Sequence, residues 1–220
     1  DDLQLELVVT EIFREVDEEL RRDNWKKLWQ RFGKYGIAFV IIIVAAAALN
    51  VGWHDYQLRQ QRLSSDAFLV ALELAKSDRI PEALVEFSVL KEDGAGGYAI
   101  LAEFRQAALR SKKGETDTAI EIYDRISKTS SEDDILRELA TLYSVILQSE
   151  TGDAAALIAR LVSIAEDSRP WRYSARATIA VLNIRLGETI KAREGFTALV
   201  DDLEAPRNMR ARAAEMLRVL

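Results

Sequence analysis

The chain has 220 residues, 49% of them hydrophobic and 30% charged, and its formal net charge is −6. This composition is typical of a folded protein, and the acidic balance argues against nucleic-acid binding, because phosphate recognition depends on concentrated Lys and Arg. The absence of Cys and the single His, His54, exclude disulfides, thiolate chemistry and multi-His metal sites. Only three Pro and ten Gly interrupt the chain, which favours an all-α fold of long helices.

Residues 1–34 are predicted to form a cytoplasmic amphipathic helix that ends in a basic collar. Apolar residues recur at helical spacing between Thr10 and Leu28, and acidic residues come early, where they suit the helix dipole. The helix would either lie on the membrane face, dock on a membrane partner or form a solvated extension. The collar, residues 21–34, holds six cations and one anion.

Residues 35–53 are predicted to cross a membrane once. Thirteen consecutive apolar residues, IAFVIIIVAAAAL, occupy positions 37–49, and a nineteen-residue helix is about 27 Å long, close to the thickness of a bilayer core. Aromatic residues flank this run, as they do at membrane interfaces. The predicted interface residues are Trp25, Trp29, Tyr35, Trp53 and Tyr56. A cleaved signal peptide is the alternative, but about 36 residues precede the run, whereas signal peptides begin with a short charged region.

The charges on the two flanks predict the orientation of this span. The collar is strongly basic, whereas the stretch from His54 to Gln61 carries one cation and one anion. Under the positive-inside rule, the N-terminus is cytoplasmic and the C-terminal part lies across the membrane, which in a Gram-negative bacterium means the periplasm. We therefore expect a single-pass protein of a bacterial inner membrane, in contact with the lipid bilayer, with a juxtamembrane linker helix over residues 54–64.

Residues 65–206 contain an internal repeat of about 36 residues. Three segments share the pattern Ala-x-x-x-Phe/Tyr-x-x-apolar, and a degenerate copy places Leu at both key positions. A Gly precedes the Ala by five residues in two copies, whereas Asp78 takes that place in the first. The small residue lets two helices approach, and the Gly ends the preceding helix in a left-handed conformation. The predicted repeat-packing residues are Ala83, Phe87, Leu90, Gly114, Ala119, Tyr123, Ile126, Leu157, Leu161, Gly187, Ala192, Phe196 and Leu199.

This pattern resembles the tetratricopeptide repeat from Ser65 to Pro206, although the Trp and Tyr that the family carries on its first helix are missing. The resemblance implies an α-solenoid of about four helix pairs, in which neighbouring pairs stack because each pair buries only one face. Residues 207–220 would then form a C-terminal capping helix, or would open a further repeat.

The whole plan is similar to the ancillary SecYEG translocon-subunit family of bacterial inner membranes. The resemblance is carried by the acidic motif EIFREVDEELRRD, the basic stretch, the single span and the divergent repeats. It implies association with the Sec translocon and with periplasmic chaperones, and it supplies no catalytic residues. The alternative is an accessory or assembly subunit of a respiratory or photosynthetic complex, which would be contacted through the transmembrane helix.

The sequence contains no motif for nucleotide binding or hydrolysis, so we expect a protein-interaction module without enzymatic activity, cofactor or metal. The glycine-rich run 94–97 is interpreted as a turn, and Ser130 or Ser131 is predicted to cap the next helix. Trp171 is predicted to pack between the third and fourth units, with an exposed binding anchor as the alternative. Helical phase places the candidate partner groove on the first helix of each pair. Its predicted residues are Arg105, Arg110, Tyr143, Arg172, Arg176 and Asn183.

Overall fold

The computed structural model describes residues 2–129 and 133–220, with side chains described for residues 31, 34, 35, 38, 39, 41–129 and 133–220. These residues form nine α-helices, a short 3₁₀ helix (Ser163–Ala165) and no strand, which confirms the predicted all-α class. The helices are α1 (Asp2–Lys76), α2 (Ile80–Asp93), α3 (Tyr98–Lys112), α4 (Thr116–Lys128), α5 (Asp134–Gln148), α6 (Ala154–Leu161), α7 (Arg172–Arg185), α8 (Thr189–Asp201) and α9 (Arg207–Val219). The chain divides into two units, Asp1–Arg59 and Gln60–Leu220.

The first unit consists of the earlier part of α1, which begins at Asp2. The helix continues without a break through the predicted segments 35–53 and 54–64. One physical reason for this continuity is that no Pro occurs before Pro81. Pro is the residue that removes a backbone N–H donor inside a helix and clashes with the preceding turn. The functional segments predicted along this stretch therefore share one helix.

The prediction of a membrane span is not supported by the apolarity of the described helices. Within the described part of the chain, no helix is long and apolar enough to cross a membrane. Ile37 and Val40 of the predicted span lie outside the residues whose side chains are described, as do Trp25 and Trp29 of its flank. The described apolar side chains of this stretch are exposed, for example Leu49 at 74%.

The second unit is a stack of helix pairs. The end of α1 pairs with α2, and α3 with α4, α5 with α6 and α7 with α8 follow in order. Four apolar clusters hold the stack together, and each joins one pair to the first helix of the next. The last cluster includes Ala213 of α9, against which Met209, Met216, Leu217 and Leu220 pack. This order of contacts is that of an α-solenoid, with α9 covering the final pair.

The interior of each pair is filled by the residues of the repeat pattern. Ala83, Ala119 and Ala192 are fully buried. In the degenerate third pair, buried Leu157 takes the Ala position and buried Leu161 the aromatic position. The remaining large residues of the pattern are buried as well: Phe87, Leu90, Tyr123, Ile126, Phe196 and Leu199. Burying a side chain of this size stabilises the fold by roughly 1.5–3 kcal/mol.

Left-handed residues end the first helix of three pairs. Gly114 has φ +84°, Gly187 has φ +75°, and Asp78, which takes the Gly position in the first pair, has φ +60°. The third pair differs, because Gly152 does not have a positive φ. There a Cβ would come within 3.0 Å of the Gln148 carbonyl oxygen, so close chain approach is the reason for glycine.

The cap of α5 differs from the prediction. Ser130 and Ser131 lie outside the described residues, and Asp133 caps the helix, its carboxylate accepting the Ile135 N–H at 2.8 Å. Asp153 caps α6 in the same way by accepting the Ala155 N–H at 3.1 Å. A carboxylate at the N-cap accepts a hydrogen bond from one of the first four N–H groups, which the helix itself leaves unpaired.

Candidate functional site

A groove of about 690 Å³ lies between α5 and α7, which are the first helices of the third and fourth pairs, and the final helix α9. We name it the C-terminal groove, and its volume is in the range of ligand pockets. Its wall consists of Ile146 and Ser149 from α5 and its end, Ser174, Ala177, Thr178 and Val181 from α7, Phe196 from α8, and Met209, Arg212, Ala213, Glu215, Met216 and Val219 from α9. Most of the wall therefore comes from the first helices of two pairs and from α9.

Helical spacing explains which residues reach the groove. On α7, Ser174, Thr178 and Val181 follow one another at intervals of four and three residues. On α9, the intervals are three, four and three residues, from Met209 through Arg212 and Met216 to Val219. Residues at these intervals share one face of a helix, so each helix presents a single stripe to the groove.

The groove wall is more apolar than its residue types suggest. The hydroxyl of Thr178 donates to the Ser174 carbonyl at 2.9 Å, and that of Ser149 donates to the Ile146 carbonyl at 2.7 Å. These two of the three hydroxyls of the wall, the third being that of Ser174, are thus bonded within the chain, while Val181 stays 38% exposed. The charged groups of the wall are those of Arg212 and Glu215.

Two long-range hydrogen-bonded contacts hold α7 against α5 at both ends. The Arg185 guanidinium donates to the Ser149 carbonyl at 2.6 Å and to the Gly152 carbonyl at 3.0 Å, beyond the C-terminal end of α5. At the other end, the indole N–H of Trp171 donates to the Ile135 carbonyl at 2.9 Å. Trp171 also packs against the core shared by the third and fourth pairs, so its predicted packing position is confirmed. A cation at a helix C-terminus satisfies free carbonyls and complements the helix dipole.

None of the six predicted groove residues lines the C-terminal groove. The Arg172 guanidinium lies over the Tyr173 ring at 4.3 Å and reaches Glu204 at 3.3 Å. Arg176 donates to the Ala165 carbonyl at 2.8 Å and to Asp167, and this bond lowers the pKa of the Asp167 carboxyl. The role of Arg172 and Arg176 in partner binding stays a prediction.

The other four predicted residues lie elsewhere on the stack. Arg110 pairs with Glu115 at 2.7 Å, and Asn183 is half-buried. Arg105 is exposed on α3, and Tyr143 is 41% exposed. Tyr143 contributes to an aromatic cluster, with its ring centroid 5.4 Å from that of Tyr123 and 6.3 Å from that of Phe104.

The difference between prediction and structure on α7 is one of helical phase. Arg176 and Thr178 are two residues apart, which is about 200° around a helix, so the two side chains point to nearly opposite sides. The signal that would have found the groove is the recurrence of apolar residues at helical spacing, Ala177 and Val181 on α7 and Met209 and Met216 on α9.

Among the described residues, no three His, Asp or Glu side chains come together as metal ligands would. Residues 26–212 match the model of a protein family described as a tetratricopeptide repeat-like domain. That match covers more than four-fifths of the chain. No curated protein and no solved structure matches the chain.

Proposed function

Because the chain belongs to the tetratricopeptide repeat-like domain family, we propose that it is a membrane-anchored interaction module, accessory to the Sec translocon or to periplasmic chaperones. The family membership itself supports a protein–protein interaction module, since such repeats are typically non-catalytic scaffolds. The observation that carries the interaction role is the C-terminal groove, an open and mainly apolar surface built by the third and fourth helix pairs and by α9. Stacked helix pairs present such surfaces to partner proteins.

The proposal of a membrane anchor is supported by the uninterrupted apolar run at positions 37–49. Along the same stretch of α1, described apolar side chains such as Phe39 at 64% and Val51 at 69% are exposed. A contiguous apolar surface of this kind is unfavourable in water and marks a membrane or protein contact. The Trp53 and Tyr56 rings, 6.1 Å apart, would sit at one interface of the bilayer.

The orientation of the anchor can be tested with single cysteines, because the chain has none of its own. Ile190→Cys marks the repeats at a site that is 76% exposed, and Gln4→Cys marks the N-terminal segment. In intact spheroplasts, we expect a membrane-impermeant maleimide to label Cys at 190 at once and Cys at 4 only after lysis. The Cys-free parent is the control. The reverse labelling pattern would overturn the orientation, and release of the chain from carbonate-washed membranes would overturn the anchor.

The partner can be tested by affinity purification in mild detergent with quantification of the bound subunits. We expect Sec subunits to co-purify with the chain. If the repeats recognise the partner, these subunits should remain bound when residues 37–49 are replaced by an unrelated apolar span. Respiratory or photosynthetic subunits in stoichiometric amount would overturn the Sec assignment. If those respiratory or photosynthetic subunits no longer co-purify after the span is replaced, the contact is assigned to the membrane helix.

A further inference from the structure

We propose that copies of this chain associate head to tail, with α9 of one copy packed against α1 and α2 of the next. Two surfaces of the second unit would meet, and each lies at one end of the stack of helix pairs. The N-terminal end face contains Leu63, Asp66, Ala67, Val70, Glu86 and Asp93. The C-terminal end face contains Arg207, Arg210, Ala211, Ala214 and Arg218. This inference goes beyond the proposed function and holds whichever membrane complex the chain joins.

The last part of α1 leaves an aliphatic surface open at the N-terminal end face. The Phe68 ring packs against that of Tyr98 on α3, with 5.7 Å between the centroids. Val70 follows Phe68 by two residues, about 200° around the helix, and therefore points away from α3. Leu63, seven residues before Val70, shares its side of α1. The two side chains are 63% and 55% exposed for Leu63 and Val70, so nothing in the described chain covers them.

Helix α2 adds negative charge to the same end of the stack. Gln106 of α3 donates to the Leu84 carbonyl at 3.3 Å and to the Ser88 hydroxyl at 2.7 Å, so this side of α2 faces α3. Glu86 lies two residues from each of them and therefore projects from the opposite side of the helix. Asp93 follows Glu86 by seven residues and shares that side. Both carboxylates thus lie on the side of the first pair that faces away from the next pair.

Helix α9 presents small and basic residues at the other end of the stack. Ala213 is buried in the core that α9 shares with α7 and α8. Ala211 lies two residues before Ala213, so it points away from that core. Arg207, Ala214 and Arg218 share this outer side, because the intervals from Arg207 through Ala211 and Ala214 to Arg218 are four, three and four residues. Two helices can approach closely where one of them carries only Ala between its charged residues.

The charges of the two end faces are opposite and unpaired. None of these six residues makes an ion pair with the described part of the chain: Asp66, Glu86, Asp93, Arg207, Arg210 and Arg218. Glu215, the one acid of α9, lies in the wall of the C-terminal groove instead. Complementary charge of this kind steers two surfaces together and fixes their orientation.

This distribution of charge favours a head-to-tail contact between copies over a symmetric one. Two N-terminal end faces would bring Asp66, Glu86 and Asp93 of one copy close to the same carboxylates of another. Two C-terminal end faces would oppose their Arg residues in the same way, and like-charge juxtaposition is unfavourable. A contact between unlike faces repeats from copy to copy, so it builds rows or closed rings rather than isolated dimers.

Cysteine cross-linking of the full chain in the cells that express it tests the geometry, because the chain has no Cys of its own. Val70→Cys and Ala211→Cys are made in separate copies and treated with a short bis-maleimide. We expect a covalent dimer when the two variants are co-expressed, and none from either alone. A chain that carries both substitutions should give a ladder of oligomers on a denaturing gel. Glu121→Cys, at an exposed position on α4 in the second pair, replaces Val70→Cys as the control and should give no product.

Charge reversal assigns the contact to the end faces. Glu86→Arg with Asp93→Arg makes the N-terminal end face basic, and Arg207→Glu with Arg218→Glu makes the C-terminal end face acidic. Either reversed face should cross-link about tenfold less to its native counterpart, because like charges then oppose each other. The two reversed faces should cross-link to one another at the native level, which a misfolded variant would not do.

The matched control for charge is Glu121→Arg with Lys128→Glu. Both residues are exposed on α4 in the second pair, away from either end, so cross-linking should stay unchanged. Raising the salt concentration to about 1 M, where the Debye length is about 3 Å, should weaken the cross-link of the native faces.

Three outcomes would overturn the proposal. A covalent dimer from Val70→Cys alone would assign the N-terminal end face to a symmetric contact. Cross-linking between positions 70 and 211 that persists after charge reversal would contradict the role of the charges. No product between these positions, or a product only with another protein, would show that the two end faces do not meet. Co-purification of Sec subunits does not depend on this contact, so the proposed function would stand in each case.

Discussion

Arg160 of α6 donates a hydrogen bond to Asp124 of α4, with 2.6 Å between Nη2 and Oδ1. The same carboxylate oxygen accepts the hydroxyl of Ser144 on α5 at 2.5 Å, and Gln148 donates to the Ser144 hydroxyl oxygen at 2.8 Å. This polar cluster joins the second helix pair to the third, the pair in which Leu161 stands at the aromatic position of the repeat. Ser144 is fully buried, so its hydroxyl depends on these partners.

The Asp124–Arg160 pair is expected to stabilise the stack measurably. Arg160→Ala and Asp124→Ala should each lower the free energy of unfolding by about 1–2 kcal/mol, because each removes a charge-assisted hydrogen bond that is only partly exposed to solvent. A double-mutant cycle by urea unfolding should give a coupling of about 1 kcal/mol. The control is the Glu73–Lys76 pair, 3.6 Å apart with both side chains more than 70% exposed, whose coupling should be near zero. Strict additivity at Asp124 and Arg160 would contradict the prediction.

Substitutions at the left-handed residues that end the first helices should change the free energy of unfolding in opposite directions. Asp78→Gly should raise the free energy of unfolding by about 0.5–1 kcal/mol, because a Cβ disfavours the positive φ that this residue adopts. Gly187→Ala should lower it by about 1 kcal/mol for the same reason. No heavy atom lies within 4 Å of a Cβ built at Gly187, so backbone conformation alone sets the cost. Urea unfolding measures both, and a stabilising Gly187→Ala would refute the argument. Lys112→Ala is the control for the weak 3.4 Å contact of Lys112 with Asp78.

Burial raises the pKa of the Tyr123 hydroxyl to about 12, with a smaller contribution from Tyr143. The folded state therefore holds this proton at a pH where the unfolded chain, with a tyrosine pKa near 10, has begun to lose it. It follows that the free energy of unfolding should be insensitive to this group below about pH 10 and should fall as the pH rises from about 10 to about 12. The Tyr123→Phe variant should show a smaller decrease over that range. Identical profiles for the two proteins in urea unfolding between pH 8 and 11 would contradict the assignment.

Arg185 is expected to act as a cap supplied by one helix pair to the preceding one. Arg185→Ala should lower the free energy of unfolding by about 1–1.5 kcal/mol, because it frees the carbonyls of Ser149 and Gly152. Arg185→Lys should recover only part of this loss, since an ammonium group cannot reproduce the planar fork of a guanidinium. Thermal unfolding of the three proteins tests the order. A Lys variant as stable as the native chain would show that charge near the helix end is sufficient.

The all-α solenoid was predictable from the sequence because it depends on local backbone preferences and on a regular repeat. Helix boundaries follow from residues such as Gly114 and Pro81, whose backbone preferences act without reference to the rest of the fold. The spacing of about 36 residues between copies of the repeat implies that neighbouring units stack alike. Long α1 was less predictable, because residues 1–9 carry no clear start signal, and the absence of Pro carries the helix past the functional boundaries assigned to it.

By itself, the amino-acid sequence determined the helix class, the repeat and the residues that separate one helix from the next, because each depends on contacts within one or two turns. Only the tertiary structure decided which face of α7 lines the C-terminal groove. Arg176 turns back to Asp167, whereas Thr178 and Val181 face α9, and this depends on how α7 rotates between its two neighbours. That rotation is set jointly by the two cores that α7 contacts, the Arg185 cap and the Trp171 hydrogen bond. These are contacts between residues tens of positions apart, which a pattern read along one helix does not contain.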